Sequence, residues 1–143
     1  MASKISRAVA LMAIHPDYAQ KILSGDKRVE FRKSRFASKI THVVIYATNP
    51  IQRVVGFFKV SGIEQAAPDE LWRRHQHHSG LERQSFVTYY RERATGVAIK
   101  VGKVVGLRTP KPLSSLGSNV VPPQSFRYLP ATVVNRLADH SKP

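Results

Sequence analysis

The chain has 143 residues, which is enough for one domain with a single core. Apolar residues make up 42% of it and charged residues 22%, a balance that excludes a wholly disordered chain. There is no cysteine, which excludes a disulfide scaffold, thiol catalysis and cysteine-ligated zinc and fits a cytoplasmic location. The longest apolar run covers residues 8–14. It is far shorter than the ~20 residues that cross a bilayer, so we expect no membrane-spanning segment.

Lysine and arginine number 23 against 9 aspartates and glutamates, giving a net charge of +14. A compact domain with this excess repels itself and favours a polyanionic partner. Nucleic acid is the first candidate, an anionic membrane surface is second, and a charge that only maintains solubility is the third. The basic residues are spread from Lys4 to Lys142, so we expect the positive surface to belong to the folded domain.

Hydrophobic periodicity and turn residues predict the elements of the first half of the chain. In order, they are a strand over residues 10–15, a helix from Pro16 that ends at Gly25, a half-buried strand over 27–32, a basic loop over 33–39, a buried strand over 42–47 and a long strand over 53–63. Gly56 and Gly62 interrupt the long strand and predict bulges or tight curvature there.

The second half begins with helices and ends in a proline-rich tail. The pattern predicts a helix from Pro68, a polar stretch over 75–80, a second helix over about 82–91, a strand over 97–107, an extended tail and a short helix over about 130–138. The fold class is therefore α+β: a small, partly closed β-barrel with a helix after the first strand and a helical insertion before the last long strand. We expect one domain over residues 1–143, with a core over about 10–129 and a C-terminal extension over 130–143.

Residues 25–32 read GDKRVEFR, the most informative stretch of the chain. A glycine ends a helix, a lysine follows, and a glutamate and an arginine share one face of the next strand. Glu30 can pair with Lys27 or Arg32, which fixes the two cations and places an acceptor beside two donors. This arrangement suits a nucleotide, whose phosphate needs cations and whose base edge offers donors and acceptors. The alternative from composition alone is an exposed strand face with ordinary ion pairs.

The spacing of Gly25, Lys27, Glu30 and Arg32 resembles the motif of the ASCH family, a branch of the PUA-like superfamily. The helix before the motif, the segments HVVIYATNP, VVGFFKV and GVAIKVGKV, the helical insertion and PPQSFRYL are also similar to that family, over about residues 11–129. The resemblance implies a PUA-like barrel with a cleft between the first helix and the barrel, and an association with RNA.

One enzymatic branch of the family removes the acetyl group from acetylated cytidine with a lysine, a threonine and a glutamate. Lys27 matches the lysine, whereas the threonine position falls on Glu30. The acid of that branch lies just before the second inserted helix, where this chain reads HQHHSG with no carboxylate before Glu82. Two of the three catalytic residues of that branch therefore have no counterpart in this chain.

Other side chains are also candidates for binding roles. His75, His77 and His78 are predicted to lie in a solvated loop rather than to form a metal site, since no cysteine supports them. Trp72 and at least one of Tyr89 and Tyr90 are predicted to belong to the core. Residues 126–128, a proline-bounded segment not expected to pair as an ordinary strand, either stack on bases or plug the barrel end. The residues that make up this segment are Phe126, Arg127 and Tyr128.

We predict an RNA-binding or single-stranded nucleic-acid-binding domain with no metal and no cofactor. One alternative is a hydrolase of a modified nucleoside or of RNA, with Lys27 and Glu30 as the catalytic groups. A further alternative is a regulatory protein-interaction module. The predicted nucleic-acid-binding residues are Gly25, Lys27, Arg28, Glu30, Arg32, Lys33, Arg35, Phe126, Arg127 and Tyr128.

Overall fold

The computed structural model describes residues 9–37 and 39–143. Its elements are β1 (Val9–Ile14), α1 (Pro16–Ser24), β2 (Val29–Arg32), β3 (His42–Ala47), β4 (Arg53–Ala66), α2 (Pro68–His75), α3 (Arg83–Tyr89), β5 (Gly96–Lys111), β6 (Phe126–Leu129) and α4 (Thr132–Ala138). Short 3₁₀ turns cover Gln76–His78 and Leu113–Leu116. In the described part of the chain, each helix is too short or too polar to cross a membrane.

The six strands form one mixed sheet in the order β2-β5-β4-β3-β1-β6. Strands β1 and β3 are parallel, and the other neighbours are antiparallel. The sheet curls into a half-barrel with four helices, so the predicted α+β barrel-like fold is confirmed. The register between β4 and β5 shifts beside Gly56 and Gly62, as the bulge prediction required.

One expectation about the strands was wrong. Residues 126–128 belong to β6, which pairs in antiparallel register with β1 from Val9↔Leu129 to Met12↔Phe126. The prolines at 122, 123 and 130 lie outside the paired residues, so no ladder hydrogen bond is lost to them.

The core occupies both faces of the sheet because the strand residues alternate in direction. Along β1, Ala10 and Met12 pack with Ile22 of α1, whereas Val9 and Leu11 pack with Leu137 of α4. A third cluster joins the helical insertion, which we define as residues 68–89, to β2 and β5. Its aromatic members are Phe31, Trp72, Phe86 and Tyr90.

Helix α1 brings the chain from β1 to the start of the motif. Pro16 occupies the first turn, and the His15 ring caps it by accepting the N–H of Asp17 at Nδ1, 3.1 Å away. Gly25 ends the helix with a φ of 92° and donates its N–H to the carbonyl of Ile22 at 3.2 Å. Only glycine adopts this left-handed conformation freely, so the chain reverses here and leads Lys27 back toward the sheet.

Candidate functional site

A cleft of about 270 Å³ opens between the end of β1, α1, β2 and α3. One wall carries the charged residues Lys27, Glu30 and Arg32, all from the motif. The rings of Tyr18, Phe31 and Tyr89 form apolar walls, and His15 and Ser85 also line the space. The cleft therefore combines fixed charges with flat aromatic surfaces.

Lys27 is buried, with only 1% of its surface exposed. Its Nζ donates to the carbonyl of Ser79 at 2.5 Å and lies 3.7 Å from Oε1 of Glu30. The ammonium also sits 5.2 Å from the Tyr18 ring centre, a cation–π distance. The Phe31 ring centre lies 5.9 Å away, so a carbonyl, a carboxylate and two aromatic rings hold this charge at the cleft wall.

Glu30 links the two motif cations. Its Oε2 accepts from Arg32 Nε at 3.1 Å and from Nη2 at 2.7 Å, while Oε1 faces Lys27. Arg32 also donates to the carbonyl of Ala13 at 2.9 Å and to Oγ of Ser125 at 3.2 Å. The guanidinium therefore bridges β2 to β1 and to the segment before β6, across the open side of the half-barrel.

Three consecutive backbone carbonyls of the insertion hold the α1–β2 connection. The carbonyl of His78 accepts the N–H of Arg28 at 2.7 Å, and the next carbonyl, of Ser79, accepts from Lys27. The carbonyl of Gly80 accepts from Lys21 Nζ at 3.0 Å. A positive φ of 69° at Gly80 turns the chain there, and an added Cβ would lie 3.1 Å from Cβ of Lys27. The insertion thus fixes the lysine through its backbone.

His75 anchors the loop that carries these carbonyls. It is buried, and its Nε2 lies 2.7 Å from Oε1 of Glu64, which also pairs with Arg74 and Lys100. Its Nδ1 lies 3.3 Å from Nε2 of His78. The expectation that all three histidines are solvated was therefore wrong for His75. No group of three metal-binding side chains converges within residues 9–37 and 39–143.

Burial shifts the pKa values of three side chains in and beside the cleft. It lowers the pKa of Lys27 below its ordinary value, because the attraction of Glu30 only partly offsets the lost hydration. Burial, with the nearby His75 and Arg28, also lowers the pKa of His78, which favours its neutral form. The pKa of Tyr89 is raised, chiefly by burial, so its hydroxyl stays protonated.

Comparison with known proteins places this geometry in a family. The ASCH domain profile matches residues 12–113, the stretch that contains the whole charged wall of the cleft. The chain belongs to the ASCH family. A protein of Zymomonas mobilis named an ASCH domain-containing ribonuclease is 30% identical over 126 residues, which span 86% of this chain and 85% of that protein.

Solved structures agree with this family assignment. The crystal structure of ASCH from Zymomonas mobilis has a TM-score of 0.85 and 28% identity, and the match covers 95% of this chain and 97% of that one. A tyrosine-to-phenylalanine variant of ASCH from the same organism gives a TM-score of 0.85 at 27% identity, covering 95% and 100% of the two chains. The resemblance proposed from the motif is thereby confirmed.

The structure brings only part of the predicted binding set to the ASCH cleft. Lys27, Glu30 and Arg32 line it together, whereas Gly25 shapes the turn before it. Arg28 is exposed beside the cleft and is not among the residues that line it. The charged wall of the cleft therefore contains fewer residues than the basic stretch of the sequence predicts.

The remaining predicted residues are not among those that line the cleft. Lys33 follows β2, with its Nζ 4.9 Å from the Tyr89 ring centre, and Arg35 is exposed in the loop beyond it. Phe126 packs edge-on against Phe36, with ring centres 4.7 Å apart, and Tyr128 packs on the same face of β6. Arg127 lies on the opposite face by strand alternation.

Several cleft residues were missed by sequence reasoning. Tyr18 was predicted only as part of the apolar face of α1, and Ser85 was not singled out. The carbonyls of residues 78–80 had no signal beyond the Ser-Gly turn, because a backbone acceptor leaves no mark on residue type. The stretch HQHHSG before α3 contains no carboxylate. It contributes the three backbone carbonyls of residues 78–80.

Proposed function

We propose that this ASCH domain binds single-stranded RNA and that one nucleotide occupies the cleft. The observation that carries the proposal is the buried Lys27–Glu30–Arg32 array facing the aromatic rings of Tyr18 and Tyr89. Fixed cations suit phosphate, a carboxylate between donors suits a base edge, and the rings offer stacking surfaces. The net charge of +14 supplies sequence-independent attraction to the phosphate backbone.

The residues contribute differently to this binding. Lys27 presents its charge from a fixed position, whereas the Arg32 guanidinium already donates to three neighbouring groups and chiefly positions Glu30. Arg28, Lys33 and Arg35 are exposed near the motif in the chain and would hold the RNA backbone. Aromatic and cationic groups then act together, as in other single-strand binders.

Fluorescence anisotropy with a labelled RNA oligonucleotide tests the proposal. We expect submicromolar to micromolar binding at low salt, with log affinity falling linearly against log salt because counterions are released. Lys27→Met should weaken binding by about tenfold or more, as expected for a lost charge-assisted contact. Lys103→Met, at an exposed lysine outside the cleft, is the matched control and should have a small effect.

Two results would contradict RNA binding in the cleft. One is the absence of binding at low salt, and the other is an affinity that does not change with salt. Equal, small losses for Lys27→Met and Lys103→Met would mean that the motif supports the fold and that RNA binds elsewhere.

RNA cleavage is a second candidate function, and two observations favour it. The Zymomonas mobilis relative is named a ribonuclease, and the Glu30 carboxylate lies 3.7 Å from the Lys27 ammonium in the cleft, a candidate general acid or base beside a fixed cation. In this case Glu30 would move a proton and Lys27 would stabilise charge on the phosphate. Gel analysis of labelled RNA with the wild type and Lys27→Met tests it: cleavage that persists unchanged in the variant would exclude this site.

A further inference from the structure

A second groove of about 420 Å³ runs alongside the cleft. Arg32 and Tyr89 line both spaces, so these two side chains form the partition between them. The new groove continues from the end of β2 to the segment before β6. Its remaining lining residues are Lys33, Ser34, Gln124, Ser125 and Phe126.

The chemistry of the groove differs from that of the cleft. Lys33 supplies a flexible ammonium, Ser34 and Ser125 supply hydroxyls, and Gln124 supplies an amide. Among the described residues that line the groove there is no carboxylate, whereas the cleft has Glu30. An environment of donors and cations without a fixed negative charge favours an anion, such as the phosphodiester of a nucleic acid.

The groove is held in shape by contacts from three directions. Arg93 Nη2 donates to the carbonyl of Lys33 at 2.9 Å, and the N–H of Ala37 donates to the Tyr128 hydroxyl at 2.9 Å. Ser125 receives the Arg32 hydrogen bond. The turn after α3 and strand β6 therefore hold the loop after β2 in place. The groove stays open beside the partition of Arg32 and Tyr89.

We propose that this groove is a second nucleotide subsite, which takes the phosphodiester and the neighbouring nucleotide of a strand whose first nucleotide lies in the cleft. The inference rests on the proposed RNA-binding function. Lys33 leaves the Tyr89 ring to contact the phosphate, and the Tyr89 and Phe126 rings flank the second base. The shortest ligand that fills both spaces is a dinucleotide, so the substrate class is an RNA chain rather than a free nucleoside or mononucleotide.

Isothermal titration calorimetry with uridine monophosphate and the dinucleotide UpU carrying a 5′-phosphate tests this arrangement. We expect the dinucleotide to bind about tenfold or more tightly, since it adds a charge-assisted contact. Lys33→Gln should weaken dinucleotide binding more than mononucleotide binding and so remove most of this advantage. Lys103→Gln should change neither affinity, and Tyr89→Ala should weaken both because that ring belongs to the partition.

Amide chemical shifts supply a second, independent measurement. The dinucleotide should perturb Lys33, Ser34 and Gln124, whereas the mononucleotide should perturb residues of the cleft only. Equal affinity for the two ligands, or equal loss of both in Lys33→Gln, overturns the second subsite and leaves the cleft proposal standing. Failure of both ligands and of longer RNA to bind would overturn the two proposals together.

Discussion

Replacement of Glu30 by glutamine is expected to destabilise the domain strongly, because this carboxylate separates two cations. Its side chain is 9% exposed, and those of Lys27 and Arg32 are 1% and 12% exposed. At an effective dielectric of about 20, Coulomb's law gives gross attractions of about 4 kcal/mol at the Lys27 separation of 3.7 Å and about 6 kcal/mol at the Arg32 separation of 2.7 Å.

Most of that attraction is offset by the hydration that the three groups lose on folding. Removing the shared anion of a buried pair typically costs about 3–5 kcal/mol, since a buried charge is left without its partner. We expect Glu30→Gln to fall in this range and to lower the melting temperature by about 10 °C or more. Lys27→Met should cost much less, because Glu30 keeps both hydrogen bonds from Arg32.

Urea unfolding followed by circular dichroism measures these differences. The double variant Lys27→Met/Glu30→Gln should be more stable than Glu30→Gln alone, because the repulsion between Lys27 and Arg32 is then gone. Glu82→Gln, at an exposed glutamate, is the matched control and should unfold like the wild type. The reasoning is refuted if Glu30→Gln has the wild-type midpoint, or if the double variant loses at least the sum of the single losses.

Three further predictions concern the same cleft. Because the folded-state pKa of Lys27 lies below its ordinary 10.5, the folded protein releases this proton first, and the free energy of unfolding should rise with pH between the two values. Urea titrations of wild type and Lys27→Met should show a difference in this slope; identical slopes would count against the lowered pKa. Gly80→Ala should cost about 1–2 kcal/mol, since its φ is 69° and its Cβ would crowd Lys27; an unchanged unfolding midpoint would show that the turn relaxes freely. Acetylated cytidine should yield no acetate under conditions where an ASCH amidohydrolase is active, because the threonine position is Glu30; turnover that Lys27→Met abolishes would reverse this expectation.

Local signals were sufficient where the structure depends on near neighbours. Pro16 and Gly25 marked the ends of α1, and strand periodicity marked the buried β3. The motif spacing placed Lys27, Glu30 and Arg32 on one wall because a helix end followed directly by a strand leaves little freedom in between. Those features could be predicted from sequence.

Features that depend on partners far away in the sequence could not be predicted from local patterns. The half-buried pattern of β2 does not reveal that Glu30 is only 7% exposed, in a cleft that it shares with Leu81 and Ser85 of the insertion. Likewise, Phe126 pairs with Met12 across almost the whole chain, and the burial of His75 depends on Glu64 of another element. In each case a side chain's surroundings come from tertiary contacts, which residue type and local spacing do not encode.

The row of carbonyls at residues 78–80 has a consequence for how the domain folds. Lys27 and Ser79 are 52 positions apart, so their contact forms only after a long loop has closed. The ammonium loses its water in the same step, so docking of the insertion carries a desolvation cost that its apolar contacts with β2 and β5 offset.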